Sequence, residues 1–182
     1  MRSPVIGLFY CGQSDELIAS ARDAARVTHA HSLGIEGAVL IALATSAALN
    51  VNAPIEIIRQ VDTHSESEAF RRRIEVVCKW LEGRECPTAA AVRATLGNGV
   101  AAADSCVTAL YIAARFLNGT FEEMIRFIAE CRGDVDTIGA MAGGIWGAAN
   151  GVSRLPRKTI DNLEQHGHIV SAANALYESR VS

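Results

Sequence analysis

The sequence predicts an all-α fold built as an orthogonal multi-helix bundle. Capping residues recur ahead of apolar segments with helical spacing, whereas no segment alternates apolar and polar residues as a half-buried strand does. Hydrophobic residues make up 49% of the chain and charged residues 20%, which is typical of a compact globular protein. Because aromatic residues supply only 5%, alanine and aliphatic side chains must fill the core. We therefore expect residues 1–182 to form a single all-α domain.

The first helices are predicted from caps and breakers. Ser14 is a plausible cap for a helix that runs to about residue 29, and Gly34 separates this helix from the next. The second helix, ending near residue 49, lacks a clear polar face and is therefore expected to be buried on most sides. Pro54 suits the first turn of a short third helix that ends near residue 61.

The later helices follow from capping boxes and a glycine-rich break. Residues 65–68 resemble a capping box for a helix to residue 82, Thr88 caps a short helix, and Thr120 opens a second capping box. Between them, residues 96–99 interrupt the helical pattern, since both glycines readily take positive φ. The remaining helices are predicted at about 88–95, 101–116, 120–132 and 136–149, with two final helices starting at Pro156 and His168.

Charge and cysteine usage exclude several classes of protein. The formal net charge of −3 gives no electrostatic reason to expect a nucleic-acid partner. Five cysteines at scattered spacings predict neither a disulfide framework nor a zinc site, so we expect reduced thiols in a cytoplasmic protein. The opening residues lack the pattern of a signal peptide. The most apolar uncharged stretch, residues 138–152, is too short for a membrane span of about 20 residues.

Residues 133–137, Gly-Asp-Val-Asp-Thr, are the clearest candidate site. Asp134, Asp136 and Thr137 offer two carboxylates and a hydroxyl, which are the hard oxygen donors that Mg²⁺ prefers. They fall at a break between two predicted helices, where irregular backbone can turn both carboxylates toward one ion. The alternative is an ordinary helix N-cap by one of the two aspartates.

A glycine stripe follows this acidic cluster. Gly139, Gly143, Gly147 and Gly151 recur every four residues and therefore share one face of a helix. Each glycine in a helix interior costs about 1 kcal/mol relative to alanine. The stripe therefore predicts close approach to this backbone, by a neighbouring helix in preference to a ligand.

Three segments together resemble the ADP-ribosylglycohydrolase family. The string at residues 133–143, with its Asp-x-Asp-Thr-Ile-Gly core, is similar to the family signature. Residues 28–34 resemble the family's Thr-His segment, and residues 96–100 with 108–111 resemble its glycine loop and following helix. The similarity extends over nearly all of the chain, and the acidic string is its specific part.

This resemblance implies an all-α fold that holds two Mg²⁺ ions and cleaves the glycosidic bond linking ADP-ribose to a protein side chain or a small acceptor. It implies Asp134, Asp136 and Thr137 as metal ligands, the two aspartates being catalytic as well. It places His29 near the substrate and a loop near the nucleotide end. The residues of that loop are Gly97, Asn98, Gly99 and Val100. A histidine hydrogen-bonded inside a helical core is the alternative for His29 and His31.

The chain also departs from the family pattern. Family members are longer and carry further metal ligands, a Thr-Asp-Asp type of cluster, and a glycine-rich phosphate loop in an N-terminal half that has no counterpart here. We therefore expect the N-terminal part of the fold to be missing and this chain to supply one side of the site, with at most a partial Mg²⁺ site. A catalytically inactive relative that binds nucleotide, metal or a partner is the alternative. Surface exposed by truncation predicts a homo-oligomer, and the expected ligand is ADP-ribose or an ADP-ribosylated protein, with no membrane.

Overall fold

The computed structural model describes residues 1–83 and 85–181, and all of their regular structure is helical. The predicted all-α multi-helix fold is therefore confirmed. In chain order the helices are α1 (Ser3–Phe9), α2 (Ser14–Arg26), α3 (Ser32–Ala48), α4 (Pro54–Asp62), α5 (Glu68–Glu82), α6 (Ala89–Leu96), α7 (Ala102–Arg115), α8 (Phe121–Cys131), α9 (Val135–Asn150), α10 (Arg157–Asp161) and α11 (His166–Val181). A single 3₁₀ turn, Val152–Arg154, follows α9.

The core lies around α7, which is buried along nearly all of its length. Helices α3 and α9 pack against α7 and against each other, and α4, α5, α6 and α8 complete the surrounding layer. The largest wholly buried side chains here are Trp146, Tyr111 and Phe70. A second cluster, which includes Leu17 and Val39, joins α2 to α3. The burial predicted for the second helix is thus observed in α3.

Several predicted boundaries are confirmed and others are wrong. Thr88 caps α6, and Thr120 forms the predicted capping box with Glu123 at the start of α8. Gly34, however, lies inside α3, because the His31 ring accepts the Leu33 N–H and starts that helix at Ser32. Helix α1 was not predicted.

The predicted capping box at residues 65–68 is also wrong. Helix α5 begins at Glu68, and its N-cap residue Ser67 makes no side-chain capping bond. Instead, the Glu36 carboxylate on α3 accepts the backbone N–H groups of Glu66 and Ser67 at 2.9 and 3.0 Å. A residue distant in sequence therefore holds this turn, so local spacing could not identify it.

The neighbouring helix predicted against the glycine stripe is absent from the described part of the chain. A Cβ atom added at Gly139 or Gly147 would meet nothing within 4 Å, and one at Gly143 would only touch Phe121 at 3.8 Å. The close approach occurs one residue further along, where a Cβ atom on Gly144 would lie 2.5 Å from Pro4 of α1. One face of α9 is therefore open bare backbone. Among the described residues, no helix is both long enough and apolar enough to cross a membrane.

Candidate functional site

A cavity of about 550 Å³ opens between the ends of several helices. We call it the cleft. It is bounded by the start of α1, the connection from α2 to α3, the start of α7 and the start of α9. Four of the residues predicted to form the site line the cleft: His29, Val100, Asp134 and Thr137. They come from three separate segments of the chain, which the fold brings together.

The acidic turn, residues 132–137, connects α8 to α9. Arg132 and Gly133 have positive φ angles of 57° and 74°, and this reversal places Asp134 at the N-cap of α9. The Asp134 carboxylate accepts the Thr137 N–H at 3.4 Å, so the capping alternative is observed. That distance is longer than the roughly 2.7–3.2 Å of a strong N–H···O bond, which leaves the carboxylate oxygens free to bind a ligand as well. Asp136 is exposed in the first turn of α9 and does not line the cleft.

His29 lies in the connection between α2 and α3. Its Nδ1 atom lies 2.8 Å from the Thr28 hydroxyl, and this hydroxyl accepts a hydrogen bond from Arg2 at 2.9 Å. Gly34 allows the ring to approach α3, since a Cβ atom there would lie 3.0 Å from His29. His29 and His31 are both exposed, so the alternative of histidines in a helical core is wrong.

The loop at residues 97–100 divides into two parts. Val100 is 87% exposed and lines the cleft, whereas Gly97, Asn98 and Gly99 do not line it. Gly97 has the predicted positive φ of 93°, but Gly99 does not. Direct contact of these three residues with substrate stays a prediction. What the loop does contact is the protein itself, because the Gly97 carbonyl accepts the Thr108 hydroxyl at 2.7 Å.

Other cleft residues were not singled out from the sequence. Arg2 lies at the cleft and carries a positive charge, and no sequence pattern marked it. Cys106 lines the cleft with Met141 and lies 3.8 Å from its sulfur. Burial raises the pKa of the Cys106 thiol from 9.0 to about 11. At neutral pH this thiol is therefore protonated, and it is not an activated nucleophile.

The donor atoms of the acidic turn fit a hard divalent cation in their chemistry, but they are few. Asp134, Asp136 and Thr137 offer oxygen ligands of the kind that Mg²⁺ takes. No group of three or more histidine, cysteine, aspartate or glutamate residues that could hold a metal occurs among residues 1–83 and 85–181. The turn could therefore supply only part of the ligand set of such a cation, and further ligands would have to come from water, substrate or other protein groups.

Comparison with known proteins gives a consistent assignment. The family model described as ADP-ribosylglycohydrolase matches residues 1–182. The chain is 31% identical to ADP-ribosylhydrolase ARH3 of Bos taurus, with 97% of this chain and 56% of that protein aligned. It is 32% identical to the Gallus gallus protein of the same name, over 87% of this chain and 50% of that protein. An uncharacterised protein of Archaeoglobus fulgidus is 30% identical over 98% of this chain.

The chain spans about half the length of the curated relatives it matches. Its match to the family model nevertheless covers every residue of the sequence. The predicted resemblance to this family is thereby confirmed. This chain belongs to the ADP-ribosylglycohydrolase family.

Proposed function

We propose that this chain supplies one side of an active site that hydrolyses the glycosidic bond between ADP-ribose and a protein side chain or small acceptor, with Mg²⁺ as cofactor. The observation that carries the proposal is the convergence of His29, Val100, Asp134 and Thr137 on one cleft from three segments. Family membership supports the reaction class, and the similar proteins of Bos taurus and Gallus gallus are named ADP-ribosylhydrolases. The substrate would be ADP-ribose joined to its acceptor.

The residues of the cleft, together with Asp136 in the adjoining first turn of α9, would have different roles according to their chemistry. Asp134, Asp136 and Thr137 would hold the metal through oxygen atoms at the start of α9, where the helix dipole is positive. When bound, Mg²⁺ would orient ribose hydroxyls and a water molecule and stabilise the charge that develops as the glycosidic bond breaks. His29 presents an exposed ring to the substrate, held by Thr28. Val100 offers an exposed aliphatic surface at the rim, suited to a flat base or ribose.

A second candidate function is a catalytically inactive module that binds nucleotide, metal or a partner chain. It is favoured by the small donor set, because the described residues contain no cluster able to enclose a metal alone. Both candidates predict binding of ADP-ribose, whereas only the first predicts bond cleavage. Activity therefore has to be measured together with binding.

The first test is calorimetric titration of the chain with Mg²⁺, with and without ADP-ribose, for the natural protein and Asp134→Asn. We expect Mg²⁺ to bind and the variant to bind it at least about tenfold more weakly, because a charged oxygen ligand is lost. Asp15→Asn is the matched control, since it removes the same charge from the first turn of α2, outside the cleft. Equal affinity in Asp134→Asn and the natural chain would overturn the metal assignment.

The second test is release of ADP-ribose from an ADP-ribosylated protein in the presence of Mg²⁺. Release that Asp134→Asn abolishes and Asp15→Asn retains supports the hydrolase. If the chain binds ADP-ribose but releases none from the ADP-ribosylated protein at any chain concentration, the inactive module is favoured. Absence of both binding and release contradicts both candidates.

Assembly and compartment form a further part of the proposal. Val5 of α1 and Tyr177 of α11 are 50% and 64% exposed beside an apolar cavity of about 580 Å³, which supports association of the chain with itself. We propose a homo-oligomer, and a stable monomer at micromolar concentration in sedimentation velocity would contradict it.

The buried thiols of Cys106 and Cys131 support a reducing, cytoplasmic setting. The net charge of −3 supports a protein without a nucleic-acid partner.

A further inference from the structure

The acidic turn that carries Asp134 is held in place by one residue from another part of the chain. The Asn98 side-chain amide donates to the Cys131 carbonyl at 3.0 Å, at the end of α8. The Asp134 backbone N–H donates to the Asn98 carbonyl at 2.8 Å, at the start of α9. Asn98 therefore bonds to the turn on both sides of its reversal, with its side chain on one side and its backbone on the other.

Asn98 also lies so close to Gly133 that no side chain would fit at position 133 without a steric clash. A Cβ atom on Gly133 would lie 2.1 Å from the Asn98 carbonyl oxygen and 2.6 Å from its amide nitrogen. Gly133 also has a φ of 74°, a conformation that side chains other than glycine rarely adopt. The glycine in the acidic string is thus explained by its contact with Asn98. The two segments act as one structural unit.

Asn98 is itself anchored to the body of the protein. The Thr108 hydroxyl of α7 donates to the preceding carbonyl, that of Gly97, at 2.7 Å. The Arg73 guanidinium donates to the Leu96 carbonyl at 3.1 Å and to the Asp104 carboxylate at 2.9 Å. A Cβ atom on Gly97 would collide with Asp104 at 2.6 Å, so this loop is closely packed. The loop that contains Asn98 therefore links the acidic turn to helices α5 and α7.

We infer that Asn98 is a positioning residue for the metal-binding aspartates, an inference that rests on the proposed function. It does not line the cleft, and both of its bonds are to the backbone of the turn, so the role that we assign to it acts through that backbone. Its two bonds fix where the Asp134 carboxylate lies before any ligand arrives. Groups that orient metal ligands without touching the metal typically contribute about 10- to 100-fold to metal affinity. The family resemblance predicts that Asn98 binds substrate, which stays a prediction, and the geometry points to this positioning role as well.

The test compares Asn98→Ala with Asn150→Ala in the full chain. Asn150 is a matched control, because its amide donates to the Leu117 and Trp146 carbonyls at 2.9 and 3.0 Å, outside the cleft. Both variants lose side-chain amide bonds to backbone and should lose similar stability. Calorimetry should show Mg²⁺ affinity falling about tenfold or more in Asn98→Ala and unchanged in Asn150→Ala. Asn98→Ser, which keeps a smaller hydrogen-bonding group, replaces the alanine variant if the latter does not fold.

A second readout needs no metal. Amide hydrogen exchange of residues 133–137 in the metal-free chain should quicken in Asn98→Ala and stay unchanged in Asn150→Ala, because only the first variant loosens the turn. Equal exchange in this segment, or Mg²⁺ affinity equal to that of the natural chain, would overturn the positioning role. If the natural chain binds no Mg²⁺, the proposed function fails, and the exchange experiment decides alone whether Asn98 sets the turn.

Discussion

Helices α9 and α11 are both 16 residues long, yet they relate to the rest of the protein in opposite ways. Helix α9 buries Ile138, Ile145 and Trp146 and packs against α1, α3, α7 and α8. The side chains of α11 that the structure describes are almost all exposed, and the helix touches α1 and, through Arg180, the Cys11 carbonyl. The acidic part of the candidate site therefore lies at the start of a helix whose position is fixed by packing. The carboxylate of Asp134 needs such a support, whereas nothing of the cleft lies on α11.

Trp146→Ala should have the largest effect on stability. The indole is wholly buried, donates to the Phe116 carbonyl at 3.0 Å and packs on Phe121 with ring centroids 5.4 Å apart. Its loss leaves a cavity and removes the indole hydrogen bond, although the Phe116 carbonyl still accepts the Gly119 N–H at 2.9 Å. The free energy of unfolding should fall by about 3–5 kcal/mol, mainly because of the cavity. Urea unfolding followed by circular dichroism measures this. A loss below about 1 kcal/mol would mean that α9 is not fixed by packing.

Raising the pH should weaken the interface between α7 and α9 by a smaller amount. The pKa of the buried Cys106 thiol is raised to about 11, and its ordinary value is 9.0. Because the folded state holds its proton more tightly, the stabilisation is fully present below pH 9 and is lost as the pH rises through 11. The loss should be on the order of 1–3 kcal/mol. Urea unfolding at pH 8 and pH 10.5 measures the decline, and Cys106→Ala should decline less than the natural chain. An equal decline in both proteins would contradict this cause.

Two alanine substitutions on α9 should act in opposite directions. At Gly147 nothing lies within 4 Å of an added Cβ atom, so Gly147→Ala should stabilise the helix by about 0.5–1 kcal/mol. At Gly144 the same atom would lie 2.5 Å from Pro4, so Gly144→Ala should destabilise by about 1–3 kcal/mol through steric overlap with α1. Thermal unfolding of the pair measures the contrast. If Gly147→Ala lowers the melting temperature, something covers the glycine stripe in solution.

The sequence was informative wherever a structure depends on residues close together in the chain. Helix type, the caps at Thr88 and Thr120, and the capping position of Asp134 all follow from neighbours a few residues away. Predictions from the sequence failed where a residue distant in the chain determines the local structure. Glu36, for example, accepts the hydrogen bonds that hold the turn before α5. The prediction that a neighbouring helix packs on the glycine stripe failed for the same reason. Only the three-dimensional arrangement shows that Gly144, and not the stripe, meets Pro4.

The same distinction applies to the residues of the candidate site. The acidic string marked Asp134 and Thr137, and the cleft gathers them with His29 and Val100. Whether Gly97 and Gly99 contact a substrate remains a prediction. Spacing could not reveal that Asn98 holds the acidic turn, because its partner Cys131 is 33 positions away along the chain. Long-range hydrogen bonds have no local signature, so such supporting residues are found only in the folded protein.

Tyr177→Ala on α11 should have the smallest effect and completes the comparison with Trp146→Ala. The side chain of Tyr177 is 64% exposed, and surface substitutions of this kind usually change stability by less than about 0.5 kcal/mol. Urea unfolding should therefore give a midpoint close to that of the natural chain at low protein concentration. Repeating the measurement at a concentration about 100-fold higher adds a second criterion, because association through α11 would stabilise the natural chain by mass action and the variant less. A large loss for Tyr177→Ala even in dilute solution would contradict the contrast, since it would require α11 to be packed as firmly as α9.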